Sequence, residues 1–139
     1  MGLDPKLWAP VIARLTGKVS PAPDAPISRR REEDRIQIAI AQYLDARRFF
    51  FFSVPNERKA SVVTHSILKA MGLRKGVADL VVWDVRNRSG FIEVKTEAGR
   101  LSVDQREFRD ECLARGLPWG LARSADDVAE LLGEWGFEP

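Results

Sequence analysis

The chain has 139 residues, of which 45% are hydrophobic and 30% charged, with a net charge of +2 at neutral pH, one histidine and one cysteine. That suits one domain with a modest core, and no apolar run reaches the roughly 18 residues that suggest a membrane helix. A secretion signal is not expected from the first residues, a lone Cys112 makes no internal disulfide and fits a reducing cytoplasm, and one His with one Cys excludes a zinc site built from those ligands.

In chain order, residues 4 to 15 place Leu7, Val11, Ile12 and Leu15 at helical spacing. Pro21, Pro23 and Pro26 cannot continue a helix and predict an extended linker. Residues 1–28 therefore read as a helical extension with a Pro-rich linker, and 29–139 as the domain proper. A helix is expected from about Ser28 to Arg47, then a strand from Phe49 to Val54 broken by Pro55-Asn56. The run Phe49-Phe50-Phe51-Phe52 predicts a central strand buried on both faces, or one covered by a partner subunit. Residues 61 to 71 predict a helix stopped at Gly72. Gly76 to Trp83 and Ser89 to Lys95 predict two strands around the turn-like Arg86-Asn87-Arg88-Ser89-Gly90. Ser102 starts a helix that ends at Gly116, Trp119 to Arg123 is the last strand, and Ser124 caps a helix through Trp135. The order α-β-α-β-β-α-β-α predicts an α/β sandwich, a mixed β-sheet flanked by helices.

The chemistry concentrates at Asp79 and at Glu93-Val94-Lys95. Strand side chains alternate between faces, so Glu93 and Lys95 point the same way, and Asp79 joins them if the two strands pair as a hairpin. Two carboxylates can hold a hard cation such as Mg2+, which takes few protein ligands. A lysine beside them can orient or help deprotonate a water that attacks a phosphodiester. The plainer alternative is an ordinary charge pair on a strand, worth about a few tenths of a kcal/mol. Placement favours the first reading, because Phe91, Ile92 and Val94 surround Glu93, and Leu80, Val81 and Val82 follow Asp79; charges within apolar runs need partners or a metal.

Glu33 falls between Ile40 and Leu44 in helical projection, at the edge of the inward stripe, although the helix macrodipole alone favours an acid there. Gln105 is the third residue of a capping box that starts at Ser102. Gly99-Arg100-Leu101 returns that helix start to the end of the Glu93/Lys95 strand, so the Gln105 amide can serve cap and site together, and Arg100 can face a phosphate. His65 reads as a packed or exposed histidine, Asn56-Glu57 as a turn, and Asp84, Glu97 and Asp104 as surface residues. Residues 29–109 hold 17 Lys/Arg against 11 Asp/Glu, and 16 of the 22 basic residues in the chain are Arg. Arg29-Arg30-Arg31, Arg47-Arg48, Arg58-Lys59, Arg74-Lys75 and Arg86/Arg88 are candidate phosphate contacts. Each pair alone is an ordinary solvated feature; together with an acidic patch they suggest a polyanionic substrate.

Taken as an ordered set, Glu33-x-x-x-Gln37, Val54-Pro55-Asn56-Glu57, Gly72-x-x-x-Gly76-Val77-Ala78-Asp79, Phe91-Ile92-Glu93-Val94-Lys95, Gly99-Arg100-Leu101-Ser102 and Gln105 resemble the VRR-NUC (virus-type replication-repair nuclease) domain. This is a branch of the PD-(D/E)XK nuclease superfamily, and the likeness runs from about residue 30 to 135. It implies a restriction-endonuclease-like fold and Mg2+- or Mn2+-dependent cleavage of DNA. Stand-alone relatives in phages and bacteria look like homodimeric junction-cleaving enzymes, which makes branched DNA and a second copy of the chain the expected partners. Carried onto this sequence, Asp79, Glu93 and the Val94 carbonyl hold the metal, Lys95 handles the attacking water, Glu33 adds a carboxylate, and Gln105 supports Lys95 or the phosphate. Arg58, Lys59, Arg74, Lys75 and Arg100 are the expected DNA contacts. Ala78 departs from the family, which often has Pro there. The competing expectations are a non-cleaving nucleic-acid-binding module with a nuclease-like fold, and a hydrolase of small phosphates.

Overall fold

A computed structural model describes residues 29–55 and 62–139, with backbone alone for 62–65. The expected helix at 4–15, the Pro-rich linker, Asn56-Glu57, Arg58 and Lys59 lie outside the described residues, as does the side chain of His65. The elements are α1 (Arg29–Ala46), β1 (Phe50–Ser53), α2 (Val62–Ala70), β2 (Leu80–Trp83), β3 (Ser89–Val94), α3 (Val103–Ala114), β4 (Trp119–Ala122) and α4 (Ala125–Trp135). Their order is the one expected.

The strands form one mixed sheet in the order β1-β2-β3-β4. The β1/β2 and β2/β3 pairs are antiparallel and β3/β4 is parallel. A hairpin loop over residues 84–88 joins β2 to β3, with Asn87 in the left-handed region that Asn tolerates (φ 62°). A parallel pair needs a crossover, and α3 supplies it between β3 and β4.

Period-two alternation divides the side chains between two cores. Leu80, Val82, Ile92, Val94 and Ala122 pack with Ile40 and Leu44 of α1 and Val128 and Leu132 of α4. α4 lies so close to the sheet that a Cβ on Gly120 would stand 2.5 Å from the Leu131 methyls. On the other face Ala78 packs with Phe108 and Cys112 of α3, and Phe91 and Trp119 flank them. Phe91 meets Phe108 edge-on, with ring centroids 5.4 Å apart. Helices α1 and α4, the sheet, and α3 are thus three layers. Asp79, Glu93 and Lys95 belong by register to the α3 face.

Two expectations are corrected. The Phe-rich strand is not central: among the described residues β1 is the edge of the sheet. Phe49 is buried and Phe51 packs against the α1/α4 core, but Phe50 and Phe52 are 70% and 46% exposed. Both lie against Trp83, at centroid distances of 5.6 and 5.4 Å. Four identical rings carry no period-two signal, so the run conceals which two face inward. Asp84 is not a surface residue either. Its carboxylate is buried and accepts hydrogen bonds from Arg86 N, Arg88 N and Arg88 Nε at 3.0, 2.9 and 2.8 Å. Arg88 also donates to the Gly136 carbonyl at 2.9 Å, so it ties the hairpin loop to the end of α4.

Candidate active site

One step beyond the last paired residues of the ladder, Leu80 and Ile92, Asp79 stands opposite Glu93. The Val54 amide donates to the Asp79 carbonyl at 2.8 Å, which continues the ladder toward β1. On the other side β2 has run out of carbonyls for β3, and the Asp79 side chain takes their place: Oδ2 accepts from Val94 N at 2.8 Å. The aspartate is therefore held by its own backbone and by the strand that bears the second carboxylate.

Glu93 and Lys95 are buried, at 1% and 7% exposure. Lys95 Nζ lies 3.6 Å from Glu93 Oε1, and Gln105 Nε2 donates to the same oxygen at 2.8 Å. Gln105 closes the expected capping box, and its side chain meets Glu93 rather than Lys95. Its Oε1 accepts from Ser102 N at 2.9 Å while its backbone N–H donates to Ser102 Oγ at 3.2 Å, closing the capping box. Gly76 sets the height of this helix start. It has φ 76°, and a Cβ there would stand 2.2 Å from the Asp104 carbonyl oxygen. Only glycine lets the segment leading to Asp79 lie so closely on the first turn of α3.

Burial first, and then the negative charge of Asp79 and a hydrogen bond with it, push the Glu93 carboxyl up from 4.5 to about 8, against the opposing pull of Lys95. At neutral pH Glu93 therefore keeps its proton. A divalent cation could take that proton's place, and the donors suit a hard ion. Among the described residues no three His, Cys, Asp or Glu side chains are arranged to hold a metal. The protein ligands would be Asp79, Glu93 and the carbonyl of Val94, with water or phosphate oxygen completing the set, as Mg2+ commonly requires.

Two cavities open on this centre. One of about 520 Å³ is lined by Arg29, Arg30, Glu33, Lys95, the Gly99–Ser102 segment and Gln105. The other, about 170 Å³, is lined by Arg30, Glu33, Gln37, Ser53, Asp79 and Val94 among others. Arg30 and Glu33 line both, so the first turn of α1 separates the aspartate side from the lysine side. The N-termini of α1 and α3 both face the larger cavity, where their partial positive charge favours an anion.

Of the sequence-predicted residues, the structure thus brings together Glu33, Asp79, Glu93, Val94, Lys95, Arg100 and Gln105. Arg74 and Lys75 are exposed and line neither cavity; the Arg74 guanidinium lies over the Phe108 ring at 5.8 Å. Arg29 and Arg30, one of several basic clusters in the sequence, are singled out by lining the larger cavity. Arg123, not recognised from the sequence as part of the site, sends its guanidinium to the loop after Lys95; only the β3/β4 register could have pointed to it.

The sequence matches the VRR-NUC domain family over residues 24–126. Among solved structures, a VRR_NUC domain aligns with a TM-score of 0.54 at 19% identity, covering 75% of this chain and 97% of its own. A VRR_NUC domain protein aligns with a TM-score of 0.48 at 16% identity, covering 97% of this chain and 89% of its own. At 19% identity the first of these speaks for a shared fold and nothing finer. No curated protein matches the sequence.

Proposed function

Because the chain belongs to the VRR-NUC domain family, a family of nuclease fold, we propose that it is a Mg2+- or Mn2+-dependent endonuclease that cuts branched or junction DNA as a homodimer. The observation that carries this reading is the Asp79–Glu93 pair: two carboxyls forced together beside a buried lysine, at the wall of an arginine-lined cavity. A fold that needed only stability would not bury two carboxyls together there, since burying such polar groups costs free energy unless something compensates.

When bound, the divalent ion supplies positive charge to the scissile phosphate and acidifies water. Asp79 and Glu93 hold it. Lys95, fixed by Glu93, places an ammonium where it can orient the attacking water or steady charge on the phosphate. Gln105 restrains the Glu93 carboxylate, and Glu33 lends negative charge to the cavity wall between the two sides of the site. Arg29, Arg30 and Arg100 hold flanking backbone phosphates, which predicts salt-sensitive binding with little sequence preference. The exposed Phe50 and Phe52 on the sheet edge are apolar surface of the kind a second subunit covers. The preference for branched DNA follows the likeness to stand-alone family members.

A panel of flap, splayed-arm, four-way-junction, linear duplex and single-stranded DNA, each with Mg2+, Mn2+ or EDTA, tests the reading. Incision of the branched substrates is expected in metal and none in EDTA. Tight binding without incision in either metal would instead make the protein a non-cleaving module.

A further inference from the structure

Arg123 directly follows β4, and the parallel register that pairs Val94 with Ala122 places it, one step on, beside Lys95. Its Nη1 donates to three carbonyls of the loop that leaves β3: Thr96, Glu97 at 3.1 Å and Gly99 at 3.0 Å. Thr96 and Gly99 are buried; the Thr96 carbonyl already accepts from Gly99 N at 3.0 Å, which closes a turn, and Arg123 adds a second donor to it and donates to the Gly99 carbonyl outside the β-ladder. Three carbonyl dipoles converging on one nitrogen form a negative patch that a cationic donor suits best.

The loop that this guanidinium gathers has Lys95 at one end and Ser102 at the other. Its Gly99–Ser102 segment walls the 520 Å³ cavity, and its end starts the helix whose Gln105 holds Glu93. The Arg123 backbone is fixed separately: its amide donates to Asp127 Oδ2 at 2.8 Å, and Asp127 N donates to Ser124 Oγ at 3.1 Å. Replacing the side chain therefore leaves the turn into α4 in place.

We propose that Arg123 is a positioning residue for cleavage: by gathering the Thr96, Glu97 and Gly99 carbonyls it sets the loop that delivers Gln105 to Glu93 and Arg100 to the cavity. Its effect on rate rests on the endonuclease reading; its effect on the loop does not. The test compares Arg123→Met, Arg123→Lys, Gln105→Ala and the Arg123→Met/Gln105→Ala double variant in the full chain. It measures kcat and KM on branched DNA with Mn2+, and amide hydrogen exchange over residues 96–102.

Arg123→Met should lower kcat by up to about 10²-fold, the scale of a misplaced catalytic geometry. The double variant should fall clearly short of the product of the two single losses, because Arg123 acts through Gln105. Lys offers three donors on one nitrogen and should recover much of the rate. Exchange over 96–102 should quicken in Arg123→Met while β2 and β3 stay protected. Losses that multiply in the double variant, or a loop as protected as in the wild type, would overturn the proposal. If the wild-type chain cuts no DNA, the endonuclease reading fails, and the exchange comparison still decides whether Arg123 shapes this loop.

Discussion

Asp84 and Glu93 lie at opposite ends of the β2–β3 pair, both buried, and they respond to burial in opposite ways. For Asp84, burial alone would raise the pKa, but hydrogen bonds from the Arg88 guanidinium and the Arg88 and Arg86 amides outweigh it and hold the carboxyl below its usual range. Glu93 faces a second carboxyl, and burial together with Asp79 pushes it up to about 8. The hairpin thus has a satisfied end and a frustrated end. Asp84 resembles the structural use of a buried acid, an anchor that joins a loop to the chain terminus. Glu93 resembles the functional use, in which unfavourable proximity persists until a ligand relieves it.

Substitutions at the two ends should separate stability from activity. The largest effect is expected at Glu93. Glu93→Gln keeps the shape and the bond from Gln105 but loses the charge proposed to hold the ion; cleavage should fall by about 10³-fold or more, equivalent to several kcal/mol of lost charge stabilisation. Binding to branched DNA in EDTA should survive. Asp79→Ala and Lys95→Ala should likewise abolish cleavage and spare binding. Wild-type incision by purified Glu93→Gln would break the contrast with Asp84.

If Glu93 holds the proposed cation, proton and cation compete for it, which adds a pH axis. Deprotonation must accompany metal binding, so Mg2+ affinity measured by calorimetry should rise between about pH 6 and pH 8 and level off above, a slope absent in Glu93→Gln. Without metal the sign reverses. Glu93 keeps its proton in the fold up to about pH 8 but ionises near 4.5 when unfolded. Its contribution to stability is therefore full below 4.5 and declines as pH rises through 8. Chemical denaturation of wild type and Glu93→Gln across that range should show the difference.

Next in size is Gly76→Ala, which combines a left-handed backbone with a Cβ driven against the Asp104 carbonyl. A loss of about 2 kcal/mol or more in denaturant titration is expected, with lower kcat in the molecules that still fold. Asp84→Ala should lower the melting temperature by several degrees and leave the cleavage rate per folded molecule unchanged, the mirror image of Glu93→Gln. The smallest effects belong to the outer arginines. Arg100→Ala should weaken DNA binding and reduce the slope of log Kd against log salt by about one. Arg74→Ala should barely alter either, because its guanidinium lies over Phe108 and away from both cavities.

Much of the centre is legible in the sequence. Alternation along Phe91-Ile92-Glu93-Val94-Lys95 is enough to put Glu93 and Lys95 on one face, and the capping box at Ser102 places Gln105 at a helix start whether or not it also meets Glu93. These are local rules, and local rules survive folding. Glu33 was half legible: its place on the helix stripe follows from 3.6-residue periodicity, but its position between two cavities depends on where α1 docks. Arg29 and Arg30 could not be ranked above Arg74 and Lys75 from composition, because each pair is only a pair of charges until the strands fix which surface it borders.

By itself the sequence determined the order of elements, the face that Glu93 and Lys95 share and the residue types at the centre, because periodicity, caps and turns act within a few residues of chain. Tertiary structure alone decided that β1 is an edge with Phe50 and Phe52 exposed, that Arg88 joins the hairpin loop to the Gly136 carbonyl, and that Arg123 reaches the loop beyond Lys95. Those facts depend on strand order and on contacts between residues tens of positions apart. No short-range pattern encodes them, since their energies exist only once the sheet has brought distant segments together.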